Sequence, residues 1–259
     1  MILKTFKTKL HAISLFLGFT ASLFMQTVSA AEIRIAVASN FSKTMKALVH
    51  RYETNTEHTV SISIASTGKH YAQIQNGAPF DLFFAADTQR PSLLEQEGKI
   101  IPGSRFTYAI GRLILWSSQA GFVDQDGAVL HQYPIKHLAI ANPKLAPYGI
   151  AAQETLTSLK LWQQHHKRLV RAENINQAFH YINSGNAELG FVAYSQLKHL
   201  NATSETIPGS FWVIPETLYQ PIEQQVVLLK ENPTAHDFLQ FIQSQQASRI
   251  IQDYGYYLP

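Results

Sequence analysis

The sequence predicts an α/β protein of two lobes, each a mixed sheet flanked by helices, joined by a hinge of two crossing segments. Three observations predict it. Beyond residue 30, short apolar strands alternate with segments of helical periodicity. The stretch from Phe106 to Trp116 is extended and long enough to run from one lobe into the other. The strands expected at Phe211–Ile214 and Gln224–Leu229 supply a return crossing. Lobe one is then residues 31–112 and 220–259, and lobe two is residues 113–219.

The elements follow in order. Residues 1–30 read as a secretory signal peptide. Lys4, Lys7 and Lys9 precede an apolar run from Ile13 to Val28, and Val28-Ser29-Ala30 is a small-residue cleavage site. Ile33–Ala38 is the first strand. Its helix spans about Ser42–Tyr52, with Met45, Leu48, Val49 and Tyr52 at helical spacing. Val60–Ala65 is the second strand, followed by a helix through Tyr71 and Ile74 that Asn76-Gly77-Ala78-Pro79 stops. Phe80–Ala85 is the third, before a helix over Ser92–Glu97 closed by Gly98. Leu138–Ala141 is a short buried strand. Tyr148-Gly149 opens the helix through Leu156, Leu159 and Trp162, and Glu173-Asn174-Ile175 opens another that ends at Ser184-Gly185. Leu189–Ala193 is a buried strand. Asn232-Pro233-Thr234 places a cap and a first-turn proline at the start of one final helix reaching Ile251.

Composition narrows the function. The leader holds three lysines and no acid, so without it the formal charge of +3 becomes zero and the basic balance disappears. No basic surface is left to suggest nucleic acid or a membrane. The chain has no cysteine, which excludes disulfides and thiolate metal sites. A soluble periplasmic protein fits these bounds.

One local pattern occurs twice. Ile33-Arg34-Ile35-Ala36-Val37-Ala38 leads into Ser39-Asn40, and Val60-Ser61-Ile62-Ser63-Ile64-Ala65 leads into Ser66-Thr67-Gly68. Each strand delivers small hydroxyl residues to a helix start. Backbone N–H groups there have no intrahelical partner, and the helix dipole is positive. One such corner is ordinary helix capping. Two in one domain form a site for a tetrahedral oxyanion.

Rival chemistries are thin. Ser66-Thr67-Gly68-Lys69 fits the S-x-x-K nucleophile motif, but the chain has neither Lys-Thr-Gly nor Ser-Asp-Asn beside it. Thr67-Gly68-Lys69 lacks the first glycine of a P-loop. His165-His166 sits in a polar run that reads as a solvated face. Tyr254, Tyr256 and Tyr257 suggest ferric iron or, more simply, packing at the end of the last helix. Asp81 and Asp87 flank the third strand; either one in the site would favour a protonated ligand such as hydrogen phosphate.

Ala38-Ser39-Asn40-Phe41, Ala65-Ser66-Thr67-Gly68 and the run from Gln73 to Asp87 (QIQNGAPFDLFFAAD) resemble the periplasmic molybdate-binding proteins of ABC importers. Ile140-Ala141-Asn142-Pro143, Ala146-Pro147-Tyr148-Gly149, Gly190-Phe191-Val192-Ala193 and Tyr254-Gly255-Tyr256 agree with the same family. The resemblance implies a type II periplasmic binding fold that holds molybdate or tungstate between its lobes through neutral donors. It implies that lobe one contributes Ser39, Asn40, Ser66 and Thr67, and lobe two Tyr148 and Ile175, the last through its backbone N–H. It further implies a monomer that is not an enzyme, needs no cofactor and serves separate permease and ATPase subunits. Some family members carry a ligand tyrosine directly after the Gly-Phe-Val segment. Here Ala193 holds that position, and Tyr194, one step on in a strand, is expected to face away. Another oxyanion, ferric iron or a serine hydrolase are the alternatives.

Overall fold

A computed structural model describes residues 31–132, 134–198, 200 and 207–259. The signal-peptide reading lies outside the described residues. The strands are β1 (Glu32–Ala38), β2 (Thr59–Ala65), β3 (Leu82–Phe84), β4 (Phe106–Gly111), β5 (Leu113–Ser117), β6 (Leu138–Ala141), β7 (Leu169–Ala172), β8 (Leu189–Ala193), β9 (Ser210–Val213) and β10 (Ile222–Leu228). The helices are α1 (Ser42–Asn55), α2 (Thr67–Gln75), α3 (Gln89–Gln96), α4 (Val129–Gln132), α5 (Pro147–Ser158), α6 (Trp162–His165), α7 (Ile175–Asn183), α8 (Tyr194–Lys198), α9 (Pro233–Ile242) and α10 (Gln245–Asp253). A 3₁₀ turn over Ser39–Phe41 leads into α1.

The strands form two mixed five-stranded sheets, ordered β2-β1-β3-β10-β4 and β7-β6-β8-β5-β9. In the first, β1 runs parallel to β2 and β3, and β10 is antiparallel to β3 and β4. In the second, β6 runs parallel to β7 and β8, and β5 is antiparallel to β8 and β9. The two lobes therefore share one plan: the second strand of each sheet has parallel neighbours on both sides. Alternation sets the packing, as expected for sheets covered on both faces. Ile33, Ile35 and Val37 enter a core with Phe41, Met45 and Phe238, while Ala36 faces Phe83, Ala85 and Leu94. In lobe two Leu189 and Phe191 point to one core and Val192 to the other.

The long extended stretch resolves into β4 in the first sheet and β5 in the second, with Arg112 alone between them. The Arg112 guanidinium stacks between the rings of Tyr194 (4.4 Å) and Tyr257 (4.9 Å). The return runs from β9 in the second sheet to β10 in the first.

Five expectations change. The helix expected from Tyr148 through Trp162 ends at Ser158; Lys160 turns the backbone at a φ of 62°, and Trp162 starts α6. The third helix starts at Gln89 rather than Ser92. The strand β7 was not legible in the sequence. The final helix is two, because Ser244 stops the run and accepts the Ala247 N–H at 3.2 Å to cap α10. Tyr194 begins α8 instead of continuing β8. Its ring lies under Arg112 and against Gly255, outside the interlobe cavity described below.

Candidate functional site

The carboxyl ends of β1 and β2 face those of β6 and β7. Each strand end passes into a helical N-terminus: Ser39 after β1, Thr67 after β2, Pro147-Tyr148 after β6 and its loop, and Ile175 after β7. These positions sit in equivalent places in the two sheet plans. Open α/β sheets bind ligands at such strand ends.

All six residues singled out in the sequence (Ser39, Asn40, Ser66, Thr67, Tyr148 and Ile175) line one interlobe cavity, with Ala38, Ala86, Ala146 and Pro147 completing the wall. Its volume is only about 10 Å³. That is far too small for a drug-sized organic ligand, whose sites run from about 300 Å³. The lining residues named in the sequence are all buried, Thr67 and Tyr148 to 1 % exposure. The lobes are closed over the space.

The wall is a set of donors. Thr67 Oγ1 accepts the Ala86 N–H at 3.0 Å, which orients the hydroxyl and leaves its own proton available. Ser66 Oγ is buried with no hydrogen-bond partner. Pro147 has no N–H, so Tyr148 carries the first donor of α5, and Ile175 is the first residue of α7 behind its Asn174 cap. First-turn N–H groups have no intrahelical acceptor. Asn174 Oδ1 accepts the Gln177 N–H at 3.1 Å, so the cap leaves the Ile175 N–H free of that bond. Ala86 escaped the sequence reading because it contributes only a backbone N–H and a small wall. Its place at the end of β3 was the one available signal.

Asn40 ties the cavity to the hinge. Its Nδ2 donates to Gln224 Oε1 (2.7 Å) and Tyr256 Oη (3.2 Å), and Tyr256 Oη donates to the Asn40 carbonyl (2.9 Å). Ser195 of α8 joins from lobe two, its Oγ 2.8 Å from Tyr256 Oη. The Tyr148 phenol reaches the hinge strand at Gly111, and its oxygen has no hydrogen-bond partner. Burial pushes it well above the ordinary tyrosine value, with Tyr256, Tyr219 and Tyr108 adding to the shift and Asn40 opposing it. The phenol therefore stays protonated.

Among the described residues no Asp, Glu, Lys, Arg or His lines the cavity. Asp81 accepts the Arg34 N–H (2.7 Å) and the Asn232 amide (2.9 Å) at the far end of β1. Burial raises its pKa, but these bonds and Lys230 outweigh it and hold the carboxyl below the usual range. Asp87 pairs with Arg90. Lys69 Nζ lies 3.4 Å from Glu173, so it is not paired with Ser66, whose hydroxyl has no base. Tyr254, Tyr256 and Tyr257 do not line the cavity. Among the described residues no group of three or more His, Asp or Glu side chains is placed to hold a metal.

The profile of the family described as "Bacterial extracellular solute-binding protein" matches residues 33–257. The molybdate-binding protein ModA of Azotobacter vinelandii is 46% identical over 239 residues, 91% of this chain and 94% of that protein. ModA of Rhodobacter capsulatus is 42% identical over 231 residues, 88% of this chain and 89% of that protein. The solved periplasmic molybdate-binding protein of Azotobacter vinelandii superposes with a TM-score of 0.84 at 42% identity, over 88% of this chain and 99% of that one. Its two-lobe fold is the fold seen here. The chain thus belongs to the bacterial extracellular solute-binding proteins, within the ModA family, and is a binding protein rather than an enzyme.

Proposed function

We propose that the protein is the periplasmic substrate-binding component of an ABC importer and captures molybdate, with tungstate as an equivalent ligand, between its lobes. One observation carries the reading: a small interlobe cavity lined by hydroxyls and helix N-termini and, among the described residues, by no Asp, Glu, Lys, Arg or His side chain. The relatives named molybdate-binding protein support the choice of ion.

The chemistry fits a fully deprotonated dianion. Every oxygen of molybdate accepts and none donates. Ser66 Oγ, Thr67 Oγ1 and the N–H groups at Ser39, Asn40, Tyr148 and Ile175 are the proposed donors. A hydrogen bond to a charged group contributes about 1.5–3 kcal/mol. Several, less the cost of closure, reach the roughly −8 kcal/mol of micromolar binding or better. Hydrogen phosphate needs an acceptor for its proton, and neither Asp81 nor Asp87 lines the cavity. Holding the ion without a counter-charge keeps release to a permease and its ATPase feasible. In this reading residues 31–112 with 220–259 move as lobe one and 113–219 as lobe two.

Calorimetric titration with molybdate, tungstate, sulfate and phosphate tests the proposal. One-to-one heat from the first two alone is the expected result. Heat from sulfate or phosphate alone keeps a binding protein and replaces the ion. Silence from all four removes the oxyanion reading.

A further inference from the structure

Selectivity between tetrahedral dianions of equal charge needs a cavity of fixed radius. Where that cavity lies between two lobes, its radius depends on where the lobes stop. Two contacts on different sides of the cavity supply such a stop, and both depend on a missing Cβ.

At the front, the Gly68 N–H of α2 donates to the Leu145 carbonyl of lobe two at 2.8 Å. A Cβ on Gly68 would lie 2.9 Å from that oxygen, 3.1 Å from Leu145 Cα and 3.2 Å from Arg90 Nη2. Two of these three atoms are backbone and cannot swing aside. Arg90 Nη2 donates to the neighbouring Lys144 carbonyl at 3.3 Å, on the same seam. At the back, Gly111 is the last residue of β4, next to the single residue between the sheets. A Cβ there would fall on the Tyr148 phenol oxygen, and would lie 3.0 Å from its Cζ and 2.9 Å from Gln224 Nε2 of the same lobe. Neither glycine has a positive φ. Alanine suits both backbones, so glycine is required for space and not for backbone freedom.

Other features carry less. The groove along α5 and residues 216–221 is larger, about 850 Å³, but nothing in the structure says what covers it. The Ser195–Tyr256–Asn40 cluster also joins the two lobes, but its contacts do not rest on a missing Cβ.

We infer that Gly68 and Gly111 are specificity-determining positions: with Leu145 and Tyr148 they fix how far the lobes close, and so the radius of the oxyanion cavity. The inference rests on the oxyanion reading for its ligand and on the contacts alone for its mechanics. A Cβ at Gly68 holds the front apart by a few tenths of an ångström. A Cβ at Gly111 displaces the phenol on a short lever near the hinge. The larger ion then loses donors that the closed site gave it, whereas an ion already too small for the cavity has less to lose.

The test is Gly68→Ala and Gly111→Ala, titrated with molybdate and sulfate. The molybdate dissociation constant is expected to rise at least tenfold in each, and the molybdate-over-sulfate ratio to fall by a similar factor. The melting temperature of ligand-free Gly68→Ala should stay at the wild-type value. Tyr148→Phe removes the nearest of the atoms that meet the new methyl, so adding it to Gly111→Ala should recover part of the loss in a double-mutant cycle. Wild-type affinity and ratio in both alanine variants would overturn the inference, and so would the absence of coupling between positions 111 and 148. Spin labels on one introduced cysteine per lobe, in a chain that has none of its own, separate this from the ligand assignment. If the wild type binds neither ion, the oxyanion reading fails, and the shortest interlobe distance decides alone. A longer distance in Gly68→Ala supports the stop, and an unchanged one removes it.

Discussion

Ser66 keeps a buried hydroxyl without a partner, an arrangement that costs about 1–3 kcal/mol when nothing satisfies it. A group held in that way is of no use to the fold and of direct use to an incoming acceptor. Ser66→Ala is therefore expected to leave the ligand-free melting temperature unchanged or slightly higher, while molybdate affinity drops about 10- to 100-fold by calorimetry. His165 makes the opposite argument. Its Nε2 lies 2.9 Å from the Leu130 carbonyl, which can only accept, so the proton sits there and the buried Nδ1 is bare. Burial pushes its pKa below the ordinary histidine value, and the Leu130 bond opposes only part of that. His70, enclosed beside Val37 and Gln73, shifts the same way from burial. The unfolded chain then binds protons that the folded protein refuses. Stability is full above the unfolded value of about 6.5 and declines as pH falls below it toward the lowered folded values. Urea midpoints should be flat above pH 7 and drop between pH 6.5 and 5. His165→Gln should flatten part of that slope, with His70 supplying the remainder.

Among the elements, α9 shows how one side chain joins two parts of the fold. Asn232 Oδ1 accepts the N–H groups of Thr234 (3.0 Å) and Ala235 (3.3 Å), and its Nδ2 donates to Asp81 beneath β1. Asn232→Ala should cost about 1–3 kcal/mol in urea unfolding, more than a cap alone, because Asp81 also loses a donor. This cap was legible as Asn-Pro-Thr, and β1, β2 and β6 were legible because apolar runs ended at small or turn-forming residues. The strand β7 was hidden: Leu169-Val170-Arg171-Ala172 is short, carries a charge and lies at a sheet edge, half exposed, so it has little alternation to show. The break between α9 and α10 was hidden because Ser244 sits in a polar run that continues the helical period. Tyr194 was placed outside the cavity from strand alternation, yet it lies there because α8 starts at that residue. For the candidate site, Ser39, Ser66 and Thr67 were legible from residue chemistry at two strand ends. Ile175 was not, since an apolar side chain advertises nothing about the N–H beneath it. The residues placed it at a helix start, and the resemblance supplied its ligand role. Ala86 was invisible for the same physical reason.

As a whole molecule the protein is two copies of one sheet plan whose corresponding strand ends face each other. Closure is expected to be the large motion, and small-angle scattering should record a smaller radius of gyration on adding molybdate. The surface pair Lys69–Glu173 spans the seam, but both side chains are well exposed, and such pairs contribute little. Lys69→Ala should leave the compaction intact and the affinity within about threefold. The uncharged wall of the cavity has one more consequence. Among the described residues, the Tyr148 phenol is the only titratable side chain in that wall, and it stays protonated far above neutral pH. Capture of a fully deprotonated ion is then silent in protons: none is taken up and none released. The binding enthalpy should be the same in Tris and in PIPES, two buffers with very different heats of ionisation. A cell compartment whose acidity follows its surroundings would see the same catch across a broad span of pH, with the anion's own protonation as the first thing to end it.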